Sequence, residues 1–182
     1  MYDANLSAEI FSQLMNGKII NKTILNNSSQ FVENPLFNEV MDNLKDYRSQ
    51  YAMNGVELVE EAEYLFIRDR NSSSEELKTD VMMKACLLLL LLGKYLTENN
   101  YRLSKLTDSS GGITIADIEA INEMPDTQEI LEKGKMKNDL ASAIKSILVE
   151  RHIMLEKPSS QSYILSDSGR TFFDEIVKSY EG

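Results

Sequence analysis

A helical stretch that leads into two short alternating apolar runs occurs twice in this chain of 182 residues, and that repeat limits the fold more than any other feature. The first instance ends in Val56-Glu57-Leu58-Val59-Glu60, a Glu61-Ala62 turn, and Glu63-Tyr64-Leu65-Phe66-Ile67. The second ends in Ile153-Met154-Leu155-Glu156-Lys157, a Pro158-Ser159-Ser160-Gln161 turn, and Ser162-Tyr163-Ile164-Leu165. Successive side chains of a strand point to opposite faces, so runs of this kind joined by a tight turn read as β-hairpins. Helices followed by a hairpin wing outline a winged-helix domain. The expected fold is therefore mainly α with short β-hairpin wings, an α+β class, as tandem winged-helix domains over residues 1–72 and 73–182.

Helix signals fit that division. Ser7 is placed to cap a helix that runs to about Asn16, with Ile10, Phe11 and Leu14 on one face and Gly17 at its end. Ile19, Ile20, Ile24 and Leu25 anchor a loop-like segment with a brief strand or turn. Asn34 precedes Pro35, a cap followed by the residue best suited to the first helical position. Leu36, Phe37, Val40, Met41, Leu44, Tyr47 and Tyr51 then recur at spacings of three and four, the mark of a buried helical stripe. Asn54-Gly55 stops that helix. Arg70-Asn71-Ser72-Ser73-Ser74 reads as a linker, and Ser74 as the cap of a long helix to Tyr95 or Glu98. Thr114 caps a helix from Ile115 to Asn122, and Pro125-Asp126 restarts the chain. Residues 127–151 carry a long or broken helical pattern in the recognition-helix position, with Gly134 as the candidate break. A terminal helix turns Phe172, Phe173, Ile176 and Val177 inward.

The chain is 42% hydrophobic, enough for packed cores. Its longest apolar run, Ala85 to Leu92, is too short to span a bilayer and reads as a core helix. It contains Cys86, the one cysteine, which behaves as a small hydrophobe in such a setting. The first residues lack the basic start and apolar run of a secretory signal. These features predict a cytoplasmic protein with no membrane partner.

No catalytic constellation is present in the sequence. His152, the one histidine, sits between a helix and a strand and has no evident partners for a triad or a metal. The acidic pairs Glu60-Glu61 and Glu75-Glu76 fall in a turn and at a helix start, where negative charge is favourable without chemistry. No phosphate-loop, EF-hand or dinucleotide spacing occurs, and Ser109-Ser110-Gly111-Gly112 reads as a loop, not a phosphate cradle. The expectation is a protein that is not an enzyme, with no cofactor.

Net charge is −10, which argues against nucleic-acid binding by the whole surface. Residues 133–157 are the exception, with basic groups in excess. Lys133, Lys135 and Lys137 precede the expected recognition helix, Lys145 and Arg151 lie on it, and Lys157 is in the wing. A helix and wing so charged can neutralise phosphates, and these six residues are the candidate DNA contacts. Asp139, Glu150 and Glu156 interrupt them. Tyr2, Leu6, Ile10 and Phe11 are the candidate apolar contacts to a partner chain.

In order and spacing the chain resembles the MukE family, the accessory subunits of the MukBEF bacterial condensin, and their shorter MksE relatives. The resemblance rests on Ile10 through Lys18, Asn34-Pro35-Leu36-Phe37 through Tyr51, and Gly55-Val56-Glu57-Leu58-Val59 with Glu63 through Arg68. It continues through Asp80-Val81-Met82-Met83-Lys84 before the leucine run and Ser162 through Ser168. The chain departs from the longer members at Ala141, Leu148 and Val149, where their recognition helix is arginine-rich, and it has no acidic tail after Gly182. Its length is that of the MksE-like members.

The resemblance implies a homodimer that holds a kleisin subunit (MukF or MksF) and, through it, an SMC-type ATPase (MukB or MksB). The implied role is regulation of that ATPase in chromosome condensation and segregation, at the nucleoid, with DNA contact that is not sequence-specific. Some MksE-like subunits belong to four-part systems with a nuclease that act against plasmids. The alternatives are a winged-helix transcription regulator, which calls for a strongly basic recognition helix, and an orphan interaction module without DNA contact.

Overall fold

The computed structural model describes residues 2–70, 75–136 and 139–181. The expected linker residues 71–74, with the cap Ser74, lie outside these, as does Lys137.

The chain opens with α1 (Ala4–Met15), which is capped by Asp3, not by Ser7. The Asp3 carboxylate accepts from the Asn5 and Leu6 amides at 2.8 and 3.1 Å, so the helix starts four residues earlier than the serine would set it. Gly17 ends it with φ of 73°, a left-handed conformation that glycine adopts without strain. The anchors Ile19 to Leu25 form more regular structure than a loop. They give β1 (Ile20–Asn21) and β2 (Thr23–Leu25), and β2 pairs with β3 (Phe31–Glu33).

Asn34 caps α2 (Pro35–Asp42) as expected, its side chain accepting from the Leu36 amide at 3.0 Å. The single helix expected from Pro35 to Tyr51 is broken at Asn43, and α3 (Leu44–Met53) follows. The Asn43 side chain bonds back to the Glu39 carbonyl at 3.1 Å, a local alternative to helix continuation that asparagine favours. The wing is β4 (Val56–Glu60) and β5 (Tyr64–Asp69), with Val59 opposite Phe66. Because β1 pairs with β5, the sheet has three strands in the order β1-β5-β4.

The second half repeats this plan. Helix α4 (Glu75–Glu98) is followed by α5 (Ser104–Thr107), α6 (Ile115–Asn122) and α7 (Thr127–Lys133). Thr114 and Asp117 form a reciprocal capping box at the start of α6. Gly134 ends α7, so the 127–151 pattern is two helices. The later one, α8 (Leu140–Ala143), runs on as a π-helical turn from Ile144 to Val149. The second wing is β6 (Met154–Lys157) and β7 (Ser162–Leu165), and Ile113 bridges to Tyr163 on the free side of β7. The order Ile113-β7-β6 reproduces β1-β5-β4, so both halves are winged helices. The chain closes with α9 (Asp167–Glu181). Phe173 of α9 is buried, whereas Val177, expected inward, is 39% exposed at the open edge of that face.

Two apolar cores result. One gathers Ile10, Leu14, Ile20, Val40, Tyr51, Leu58 and Leu65. The other centres on Leu88, Leu89, Leu91 and Leu92 of α4, with Ile121, Leu140, Ile144, Leu148 and Phe173. Neighbours in sequence divide between them. Ile20 and Leu65 belong to the first, but Ile19 and Tyr64 belong to the second. Strand alternation explains this: the first sheet packs one face on its own helices and turns the other to the second half of the chain.

Candidate functional site

The covered face of the first sheet creates a seam between the two winged helices, and the seam has a polar and an apolar part. The polar part is fully bonded at its centre. Asn21, buried in β1, donates from Nδ2 to the His152 carbonyl at 2.9 Å and accepts at Oδ1 from the Ser168 amide at 2.8 Å. Asp167 at the start of α9 accepts at Oδ2 from the Thr23 amide and hydroxyl, at 2.7 and 2.8 Å, and at Oδ1 from Arg170 at 2.8 Å. The hydroxyls of Ser29 and Ser159 lie 2.6 Å apart and tie the β2-β3 hairpin to the turn of the second wing.

His152 belongs to this seam. Its φ of 62° turns the chain out of the π-helical turn toward β6. Nδ1 lies 3.1 Å from the Ile19 carbonyl, which can only accept, so Nδ1 carries the proton. Burial holds the imidazole below its ordinary pKa, against the opposing effect of the Ile19 carbonyl and with a smaller push from Lys18. A neutral ring used in packing fits the expectation of a boundary residue.

The apolar part is a groove of about 530 Å³ where α1, β5, α4 and α9 meet. Leu14, Ile19, Tyr64, Phe66, Met82 and Phe172 supply its walls, and Lys18, Glu61 and Arg151 its charged lining. Tyr64 stacks on Phe66 at 6.3 Å and meets the edge of Phe172 at 5.6 Å, geometries that aromatic rings prefer. Burial raises the Tyr64 pKa, with help from Glu61 and Glu175, so the ring is a neutral phenol at physiological pH.

The expected partner contacts are spread over α1. Tyr2 is 60% exposed and Phe11 is 45% exposed, with its ring stacked on Tyr51 at 6.5 Å. Leu6 packs partly buried against the first core. Ile10 has no exposed surface, so it supports α1 from below and has nothing to offer a partner. This is a correction with a simple cause: Ile10 and Leu14 are four apart and define the buried stripe, and Phe11 lies beside it.

The expected DNA contacts do not gather into one patch among the described residues. Lys133 is ion-paired to Glu129 on α7. Lys135 is exposed just beyond that helix, with φ of 51°. Lys145 lines a depression with Glu119, Glu123 and Asp139. Arg151 turns to the first winged helix, with Nη1 3.4 Å from the Gly17 carbonyl. Lys157 is 7% exposed and donates to the Gly111 carbonyl at 2.7 Å. Closeness in sequence misleads here because residues 133–157 pass through two helices, a tight turn and a strand.

The groove was not foreseen, although a signal existed. Tyr64, Leu65, Phe66 and Ile67 are apolar on both alternating faces, and a strand of that kind is covered on both sides. Among the described residues no group of three or more His, Cys, Asp or Glu is placed to hold a metal ion, and no helix is long and apolar enough to cross a membrane.

No curated protein sequence matches the chain. A family does: the model of the condensin complex protein MksE matches residues 5–177, which takes in both winged helices, the seam and the groove. The chain belongs to the MksE family of condensin complex proteins.

Proposed function

We propose that this condensin complex protein is a non-catalytic accessory subunit that acts as a homodimer, holds a segment of the MksF-type kleisin, and through it regulates an MksB-type SMC ATPase. The two winged helices, residues 1–72 and 73–182, together form the surface that holds that segment. The observation that carries the reading is the apolar groove at the seam. It offers Tyr64, Phe66, Met82 and Phe172 to an apolar ligand, and its Lys18, Arg151 and Glu61 can fix the ligand's direction. A kleisin segment is the occupant that the family membership favours. The place of action is then the cytoplasm, on the nucleoid, in chromosome condensation and segregation, with weak and sequence-neutral DNA contact.

A sequence-specific regulator is the poorer reading. Lys145, on the recognition helix, shares its depression with Glu119, Glu123 and Asp139, which oppose the approach of phosphates.

Co-purification of the tagged chain with the MksF-type kleisin of the same cell tests the proposal, with Met82→Glu as the comparison. Met82 is 37% exposed, so a charge there spares the cores. Recovery of the kleisin with the wild-type chain and loss of about tenfold or more with Met82→Glu is the expected result. Equal recovery by both sets the groove aside, and no recovery by either sets the kleisin reading aside. A nuclease in the same complex indicates the plasmid-directed use.

A further inference from the structure

A second concave feature lies at the far end of the second wing and is unlike the rest of this acidic molecule. It is an open pocket of about 460 Å³ between α5, the Gly111-Gly112 loop and the β6-β7 turn. Arg102, Lys105 and Lys157 line it, together with the hydroxyls of residues such as Ser110, Ser160 and Ser162, and no carboxylate is among its lining residues. In a chain with net charge −10, three cations in one concavity are a local inversion of the surface field.

The pocket is built, not incidental. A Cβ on Gly111 would lie 2.5 Å from the Ser104 carbonyl oxygen, and one on Gly112 2.5 Å from Ser162 Oγ, so only glycines let the loop close against both walls. Gly112 also has φ of 141°. Lys157 then reaches under the loop. Only 7% of its surface is exposed, its ammonium is bonded to a carbonyl, and it makes no ion pair among the described residues. One carbonyl satisfies one of three ammonium donors. A buried charge so placed is stabilised by an anion. Lys105 is held at 3.0 Å from Asp117, which offsets part of its charge, and it lies over the Tyr101 ring at 4.6 Å. Asp117 itself accepts from Thr114 and Tyr95 and does not line the pocket. Arg102 is exposed and makes no ion pair among the described residues, which leaves its planar donor fork available.

We infer that this pocket binds a phosphate group, with Lys157 and Lys105 at its floor, Arg102 closing on it from the rim, and the Ser160–Ser162 hydroxyl pair, bonded to each other at 2.7 Å, offering the one proton that bond leaves free. Phosphate is the anion that matches several convergent donors and a bidentate guanidinium. The group is carried either by a DNA backbone or by a free phosphorylated compound. The site is distinct from the apolar groove and stands whether or not a kleisin is held there.

The test uses the full chain and two probes. Orthophosphate and pyrophosphate are titrated by calorimetry into wild type, Arg102→Glu and Ser160→Ala. A random-sequence DNA duplex is titrated into the same proteins by fluorescence anisotropy over a range of salt. Arg102→Glu changes an exposed residue and Ser160→Ala removes one hydroxyl, so both are expected to fold, and circular dichroism checks it. Saturable phosphate binding by wild type, weakened about tenfold or more by Arg102→Glu, supports the site. If the duplex is weakened in parallel and its salt dependence falls by about one phosphate, the source is a DNA backbone. If duplex binding is unchanged while phosphate binding is lost, the source is a free phosphorylated compound. Phosphate binding that does not saturate, or that is the same in Arg102→Glu as in wild type, overturns the inference.

Discussion

Replacement of Asp167 by alanine tests the polar half of the seam. The side chain is almost wholly buried and is shared by the Thr23 amide, the Thr23 hydroxyl and Arg170. The three donors differ in what they can recover. Arg170 is 37% exposed and the half-buried Thr23 hydroxyl can rotate, so both regain water. The Thr23 amide cannot rotate and loses a bond to a charged acceptor, worth roughly 1.5–3 kcal/mol. The two recovering donors add about 1 kcal/mol together, and loss of an acidic group from the first turn of α9 adds about 0.5 kcal/mol. Relief of the carboxylate's own desolvation works the other way, so the net loss is expected near 3 kcal/mol. For a chain of this size that lowers the melting temperature by about 6–12 °C. Asp167→Asn keeps an oxygen for Thr23 and removes the charge, and it should lose about half as much.

Urea unfolding followed by far-ultraviolet circular dichroism measures both variants. If Asp167→Ala stays within about 0.5 kcal/mol of wild type, the seam bonds are not net stabilising and the reasoning fails. A double-mutant cycle with Thr23→Val adds a check, since side chains in direct contact should couple by more than about 0.5 kcal/mol. Independent effects would mean that the hydroxyl bond contributes nothing of its own.

Acid should weaken the second core through Asp117. Burial raises its carboxyl pKa, but bonds from Tyr95, Thr114 and Lys105 outweigh burial and hold it below its ordinary value of 3.8. The stability it supplies is complete above that value and is lost as pH falls through the lowered one, so Asp117→Asn should be less stable than wild type at neutral pH and show a shallower decline in acid unfolding. His152 acts at milder pH. Its folded pKa lies below 6.5, so its contribution is present above pH 6.5 and declines as pH falls from there through the folded value. His152→Asn, whose side chain tolerates the positive φ, should flatten urea stability measured between pH 7 and about 5, and an unchanged slope would count against the buried neutral ring. Gly169→Ala should be the most damaging single methyl, because its Cβ would fall 2.0 Å from the Ile153 carbonyl oxygen. A loss of about 3 kcal/mol or failure to fold is expected, and a near-normal urea midpoint would contradict the packing of α9 on the second wing.

The wings and most helix ends were legible because they follow from local chemistry. Asn34-Pro35, Thr114, Gly55 and the alternating runs act through neighbours in sequence, and each does in the structure what its spacing implies. Where local signals compete, the sequence alone does not decide between them. Asp3 and Ser7 are both good caps, and the one further out prevailed. Asn43 looked like a helix position, but its side chain supplies an alternative bond and splits the helix. The polar seam and the cationic pocket are not legible, because they depend on pairs far apart in the chain, such as Thr23 with Asp167 and Gly111 with Lys157, and the groove is legible only as the two-faced apolar run from Tyr64 to Ile67. The basic residues of 133–157 show the same limit from the other side. Their density is a property of the sequence, and the turns at Gly134 and His152 disperse it.

If the proposed function holds, the tandem arrangement turns a DNA-reading architecture into a scaffold for protein contact. A winged helix reads DNA with its recognition helix and wing when both face outward. Here the end of the second recognition helix is held by the first winged helix: the Ile19 amide donates to the Arg151 carbonyl at 3.0 Å, and His152 closes on the Ile19 carbonyl. The second wing is held as well, through Ser159 on Ser29. The first turn of α8 stays open, but Asp139 and the carboxylates of α6 share its depression. These contacts therefore remove part of the surface that would enter a major groove. Two concavities remain beside that surface, the apolar groove along the seam and the cationic pocket of the second wing, and the proposed occupants of both, a peptide segment and a phosphate, need no base sequence.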